Sequence, residues 1–189
     1  WVRLRHERAW PLQSAHPGAC SAKGSPVITS HTPMRRSAAE QQKFHDAMAE
    51  LWEQRISFNQ LLGLKIVSLD PSDVRVRLDM RPELVGHYAY GRLHGGVISA
   101  TLDALGGMAL MVALGEKHHD ESADQVMHRF GRMGTIDLRV DFLRQGIGSH
   151  FIGHAEVTRL GGRIGSTQMR MLNDQGTLIA TAAASFVVA

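Results

Sequence analysis

The sequence predicts an α+β domain in which a curved antiparallel sheet wraps around one long central helix, with shorter helices on its N-terminal side. Three observations carry this expectation. The apolar residues repeat with a helical period up to about residue 63 and alternate afterwards. The run from Val97 to Leu114 is apolar on nearly every side, so most of its circumference must be covered. Four strand-like runs then follow with short turns between them, which is how an antiparallel sheet is connected.

Each element has its own justification. Residues 1–33 mix Pro, Ser, Gly, His and Arg without periodicity, so an extension over residues 1–36 is expected to be disordered, with one domain over 37–189. The chain opens on Trp1, and a cleaner pattern opens on Met34. This reads as an upstream extension or an overlong reading frame, with an Arg-rich, acid-poor targeting peptide as the alternative. Ser37 is placed to cap a helix, and Glu40 follows at the capping-box spacing. Phe44, Met48, Leu51 and Trp52 then recur at helical intervals. A second short helix, SFNQLLG, ends at Gly63. LKIVSLD and DVRVRLDM read as two strands around the turn DPSD. In the second, Val74, Val76, Leu78 and Met80 alternate with charged residues. Residues 81–93 read as a loop, 94–114 as the long helix and 115–134 as polar and irregular. The remaining strands are TIDLRVDFL, HFIGHAEVTRL, RIGSTQMRML and TLIATAAASFVV. A small sheet with open edges favours a dimer.

Charge and cysteine narrow the function classes. The formal net charge is +3, but six basic residues and one acid lie in residues 1–36. That leaves 15 basic and 17 acidic residues over 37–189, a net of −2, so the domain is not expected to bind nucleic acid. Cys20 is the sole cysteine, so no intrachain disulfide forms and a cytoplasmic location is expected.

The stretch GRLHGGVISATLDALGG is the most informative one. It nearly has the length of a membrane span, but Gly106, Gly107, four alanines and a central Asp103 make it a poor one. The small residues instead let strands approach the helix. Asp103 has Ser99, Ala100, Gly106 and Gly107 at i±4 and i±3, so no helical ion pair stabilises it. Two readings stay open. The carboxylate is satisfied by a hydroxyl, by backbone or across a dimer, or it faces a semi-dry pocket as an acid–base group. His94-Gly95-Gly96 stands at the start of the same helix. Uncommitted N–H groups, a positive dipole end and glycine's open approach suit it to a carbonyl oxygen becoming an oxyanion. Asp103 lies about 13 Å from His94 along the axis, too far to serve that helix start itself. Antiparallel central helices in a dimer would bring one chain's Asp103 to the other chain's Gly95.

The spacing G-x-x-H-G-G-x-x-x-x-x-x-D, at Gly91, His94, Gly95, Gly96 and Asp103, resembles the PaaI-like hotdog-fold acyl-CoA thioesterases. GTIDLRVDFLR and ATAAASFVV are similar to that family's strands, and the resemblance covers roughly 55–189. Within the family the chain is similar to YigI-type bacterial members, linked to medium- and long-chain acyl-CoA. The resemblance implies a hotdog fold, homodimers that pair into tetramers, and sites between subunits with no metal or organic cofactor. It implies that Asp103 activates water or attacks the thioester, that Gly95 N–H polarises the carbonyl, and that Thr135 helps to hold the water. Several relatives carry Asn where this chain has Tyr88, and Tyr88 or the adjacent His87 could supply that hydrogen bond. The stretch 116–134 replaces a short turn and is expected to shape the substrate entrance.

Substrate contacts are expected from His94, Gly96, Tyr88 and Arg144; for Arg129, Arg132 and Arg144 two readings stay open, a solvated loop or strand end and a partner for the CoA phosphates. His94 reads first as a hydrogen-bonding helix entry. His118, His119, Asp120, Asp124 and His128 match no strong metal spacing. The alternative to an enzyme is a hotdog protein that binds acyl-CoA without turning it over.

Overall fold

The computed structural model describes residues 34–189, so the expected extension over 1–33 lies outside the described residues. Arg35 and Arg36, grouped above with that extension, dock on the domain. Arg35 pairs with Glu116 at 2.8 Å, and the Arg36 guanidinium donates to Gly115 O.

Helix α1 spans Ala38–Glu50 and is capped by Ser37 Oγ, which accepts from Glu40 N at 3.2 Å. The expected capping box closes only halfway. The Glu40 carboxylate instead accepts from Ala123 N at 2.9 Å, capping a different helix. Phe44 and Met48 are buried, and a π turn over Leu51–Arg55 buries Trp52 as well. Helix α2, Ser57–Leu62, ends at Gly63 with φ +74°, a left-handed position that suits glycine.

Strands β1 (Lys65–Asp70) and β2 (Asp73–Asp79) form the predicted hairpin, and Val74, Val76 and Leu78 of β2 are buried. The stretch expected to be a loop over 81–93 holds a 3₁₀ turn, Pro82–Leu84, and a small hairpin of β3 (Val85–His87) and β4 (Arg92–Leu93). Strands of three and two residues are too short to show a period. The central helix α3 runs Gly95–Lys117, about one turn past the expected end. The stretch expected to be irregular over 115–134 contains helix α4, Ala123–His128, and a 3₁₀ turn, Arg129–Arg132. Ser122 and Gln125 form a complete capping box there, and Ala123 and Val126 are fully buried.

Strands β5 (Gly134–Phe142), β6 (His150–Leu160), β7 (Ile164–Asn173) and β8 (Leu178–Val187) complete one six-stranded sheet in the order β1-β2-β6-β7-β8-β5. Every neighbouring pair is antiparallel. The sheet wraps around α3, which contacts all six strands.

Leu102, Leu105, Met108, Leu110 and Met111 of α3 are fully buried. Burying each such side chain contributes about 1.5–3 kcal/mol. Glycine sets how closely the layers approach. A Cβ on Gly106 would lie 3.0 Å from both the Phe186 ring and Thr167 Oγ1, and one on Gly165 of β7 would run into Leu110. Gly95–Lys117 is the one described helix long and apolar enough to cross a membrane, and its burial under the sheet accounts for its apolar character. Strand β5 pairs with β8 on one side and forms an outer edge of the sheet. Ile136 and Phe142 on β5 are more than half exposed.

Candidate active site

Asp103 sits midway along α3, half-buried, on a face otherwise made of Ala100, Ala104 and Gly107 at helical spacing. The Thr135 hydroxyl, at the start of β5, donates to Asp103 Oδ1 at 2.9 Å. Both residues line a cavity of about 290 Å³, near the lower end of the 300–1,000 Å³ typical of ligand pockets. The helix supplies the floor, Phe130, Met133 and Phe186 the sides, and Trp52, Ile56, Phe58 and Asn59 the roof. The roof is tied down by Trp52, whose Nε1–H donates to Ala104 O at 3.2 Å. The Trp52 and Phe130 rings meet edge-on at 5.1 Å, joining roof to side wall.

The roof contains an unexpected polar group. Asn59 is 3% exposed, and its Nδ2 has no hydrogen-bond partner among the described residues. Leaving a buried donor unmet costs about 1–3 kcal/mol. Sequence reasoning placed Asn59 on the right helix but gave it no role. Trp52 and Phe130 read only as core or loop residues, because their meeting depends on the chain path between them.

The helix start is built differently. His94 is the N-cap of α3, and its Nδ1 accepts from Gly96 N at 2.8 Å. That bond assigns the ring proton to Nε2 in the neutral form. It also engages the Gly96 N–H, which was expected to meet substrate. The Gly95 N–H has no acceptor among the described residues. The Phe142 ring lies beside this residue, since a Cβ on Gly95 would be 3.3 Å from it. His94 and Gly96 line a second groove, of about 400 Å³, and Phe58 lies on both that groove and the Asp103 cavity.

Asp103 and Gly95 of one chain are not brought together. Eight residues separate them on one straight element, about 12 Å. Tyr88 is 95% exposed, stacks on His87 at 5.7 Å, and lines neither space. Arg144 Nη1 donates to Leu178 O at 3.1 Å, also away from the cavity. Arg129 pairs with Glu121, and His118 contacts the same carboxylate at 3.3 Å. Among the described residues, no three His, Cys, Asp or Glu side chains gather into a metal-binding group.

Comparison with known proteins adds to this geometry. A family model described as the thioesterase superfamily matches residues 90–180. The medium/long-chain acyl-CoA thioesterase YigI of Salmonella typhimurium is 33% identical over 141 residues, covering 75% of this chain and 91% of the relative. The chain belongs to the thioesterase superfamily. YigI of Escherichia coli K12 is 32% identical over the same coverage. A crystal structure from Shewanella oneidensis, related to the thioesterase superfamily, superposes with a TM-score of 0.75 at 35% identity. It covers 82% of this chain and all of that one. The architecture is that of a hotdog thioesterase, and the chain is a thioester hydrolase. The superfamily match begins at residue 90, so the cavity roof of this thioesterase lies outside the matched stretch.

Proposed function

We propose that the chain is an acyl-CoA thioesterase that hydrolyses medium- and long-chain acyl-CoA to free acid and CoA. The reading rests on Asp103, held by the Thr135 hydroxyl on the wall of an apolar cavity. The acyl class follows the names of the YigI relatives.

In this reading Thr135 leaves Asp103 Oδ2 to accept a proton from water. The water oxygen forms a bond to the thioester carbon, and the carbonyl π electrons move onto oxygen. The partner subunit's Gly95 donates its N–H to that oxyanion, at a helix N-terminus whose dipole adds positive potential. Collapse re-forms the carbonyl and breaks the C–S bond, and the departing CoA sulfur takes the proton from Asp103, which returns to its carboxylate form. The step balances with water and protein groups, so it calls for no cofactor.

A homodimer is part of the proposal. One chain holds its acid and its uncommitted amide too far apart, and β5 offers an open edge carrying exposed Ile136 and Phe142. Pairs of dimers and a cytoplasmic setting belong to the same reading, the latter because Cys20 is the sole cysteine.

The test is thiol release from a panel of acyl-CoA chain lengths. The wild type is expected to prefer medium to long chains. Asp103→Asn is expected to lower kcat by about 10²–10⁴ with an unchanged fold. Binding of acyl-CoA without thiol release at any chain length would move the chain to the binding-only alternative.

A further inference from the structure

We propose that Phe58 sets the acyl chain length by standing between two halves of one acyl channel. The Asp103 cavity takes the carbons next to the thioester, and longer chains pass Phe58 into the neighbouring groove. The inference deepens the proposed acyl-CoA hydrolysis at Asp103 and rests on it.

Among the described residues, Phe58 alone lines both spaces. The floor continues beneath it. Ala100 of α3 lines the cavity, and Gly96 and Val97, four and three positions earlier, line the groove, so the two floors share a face of one helix. Beyond Phe58 the groove is walled by Leu61 and Leu62 of α2 and by Leu84. Arg81, also on the groove, donates from its guanidinium to Leu61 O and so anchors that wall. Phe58 is 53% exposed and Leu61 66%. Large apolar side chains left open beside an apolar groove mark a surface that takes an apolar ligand. A ring this open turns between rotamers without displacing the core.

Volume shows why one space is not enough. The cavity holds about 290 Å³ and the groove about 400 Å³. A methylene is close in size to a water molecule, which takes about 30 Å³, so the cavity alone holds about ten carbons and the groove about thirteen more. A medium chain fits the first space, and a long one needs the second. Gly95 does not line the groove and lies beside Phe142 of β5. Neighbouring helical positions point about 100° apart, so the tail's path along Gly96 leaves the Gly95 amide clear for the partner's substrate.

The test compares kcat/KM for palmitoyl-CoA and decanoyl-CoA. Leu61→Trp fills the groove at an exposed position that does not line the Asp103 cavity. It is expected to lower the palmitoyl-to-decanoyl ratio at least tenfold, the effect of about one misplaced methylene. Phe58→Ala removes the partition and is expected to raise the same ratio about tenfold. A ratio within twofold of wild type in Leu61→Trp overturns the proposal, and so does a ratio that falls or stays level in Phe58→Ala. Size-exclusion chromatography runs alongside. An unchanged ratio with a dissociated Leu61→Trp dimer gives the groove to a subunit contact and overturns the proposal as well. Phe58→Ala carries the test alone if the tryptophan variant does not fold. Asp103→Asn is assayed beside them. An active Asp103→Asn overturns the hydrolysis reading and this inference with it, whereas an inactive one beside unshifted ratios overturns only the role of Phe58.

Discussion

The Thr135 hydroxyl points its hydrogen at Asp103 Oδ1 over 2.9 Å, across the gap between an edge strand and the central helix. The bond occupies one carboxylate oxygen and fixes the plane of the other. Hydrogen bonds to charged groups contribute about 1.5–3 kcal/mol. Thr135→Val, which keeps the shape, is therefore expected to lower kcat about tenfold or more, with Thr135→Ser recovering most of it. Steady-state kinetics on one acyl-CoA check this, and equal kcat for the valine variant would remove Thr135 from the reaction.

Gly95 occupies the first helical position of α3, where proline's fixed φ fits and no intrahelical bond is lost. Gly95→Pro deletes the one N–H proposed to meet the oxyanion. Its kcat is expected to fall about 10²–10³-fold. Gly95→Ala keeps the N–H and only presses on the exposed Phe142 ring, so it should retain far more activity. Similar rates for the two variants would place the oxyanion elsewhere.

Ala100 projects from the cavity floor. Leucine there fills space that an acyl tail is proposed to use. Each methylene in an apolar pocket contributes about 1–3 kcal/mol, so Ala100→Leu is expected to shift the kcat/KM ratio from long to short chains at least tenfold. An unchanged chain-length profile would exclude this cavity as the acyl site.

His154, on β6 away from the site, has its imidazole pKa held below the ordinary 6.5, first by burial and then by Arg170, against the smaller opposing pull of Asp73. The unfolded chain takes up this proton near pH 6.5, and the folded chain only below it. Between the two values the unfolded state binds more protons, so stability falls as pH is lowered through that window. His154→Gln is expected to lose less Tm than wild type between pH 7.5 and 5.5. Identical Tm losses would show that His154 does not contribute.

Much of this was legible before the fold was known, for physical reasons that also explain what was not. The alternation in β2, the apolar circumference of α3 and Gly63 as a stop signal are local properties, and each appears where it was expected. Helix α4 carries a capping signature at Ser122 and Gln125, but its six residues among many charges show too little period to predict it. Glu40 has the capping spacing of its own helix, but its carboxylate accepts from the N–H of Ala123, eighty-three positions away. The one acid in the apolar run Val97–Leu114 could be singled out from its helical neighbours alone. Its hydroxyl partner had no such local mark and was suggested by family likeness. Asn59 could not be recognised at all, because a polar residue on a short helix looks solvated until the roof is closed over it.

The fixed spacing of Asp103 and Gly95 on one rigid rod also has a genetic consequence. Under the shared-site arrangement, two defective alleles can help one another. A mixed dimer of Asp103→Asn and Gly95→Pro chains contains one site with both lesions and one site with neither. Random reassociation of equal amounts would make half of the dimers mixed, restoring about a quarter of the wild-type rate from two nearly inert preparations.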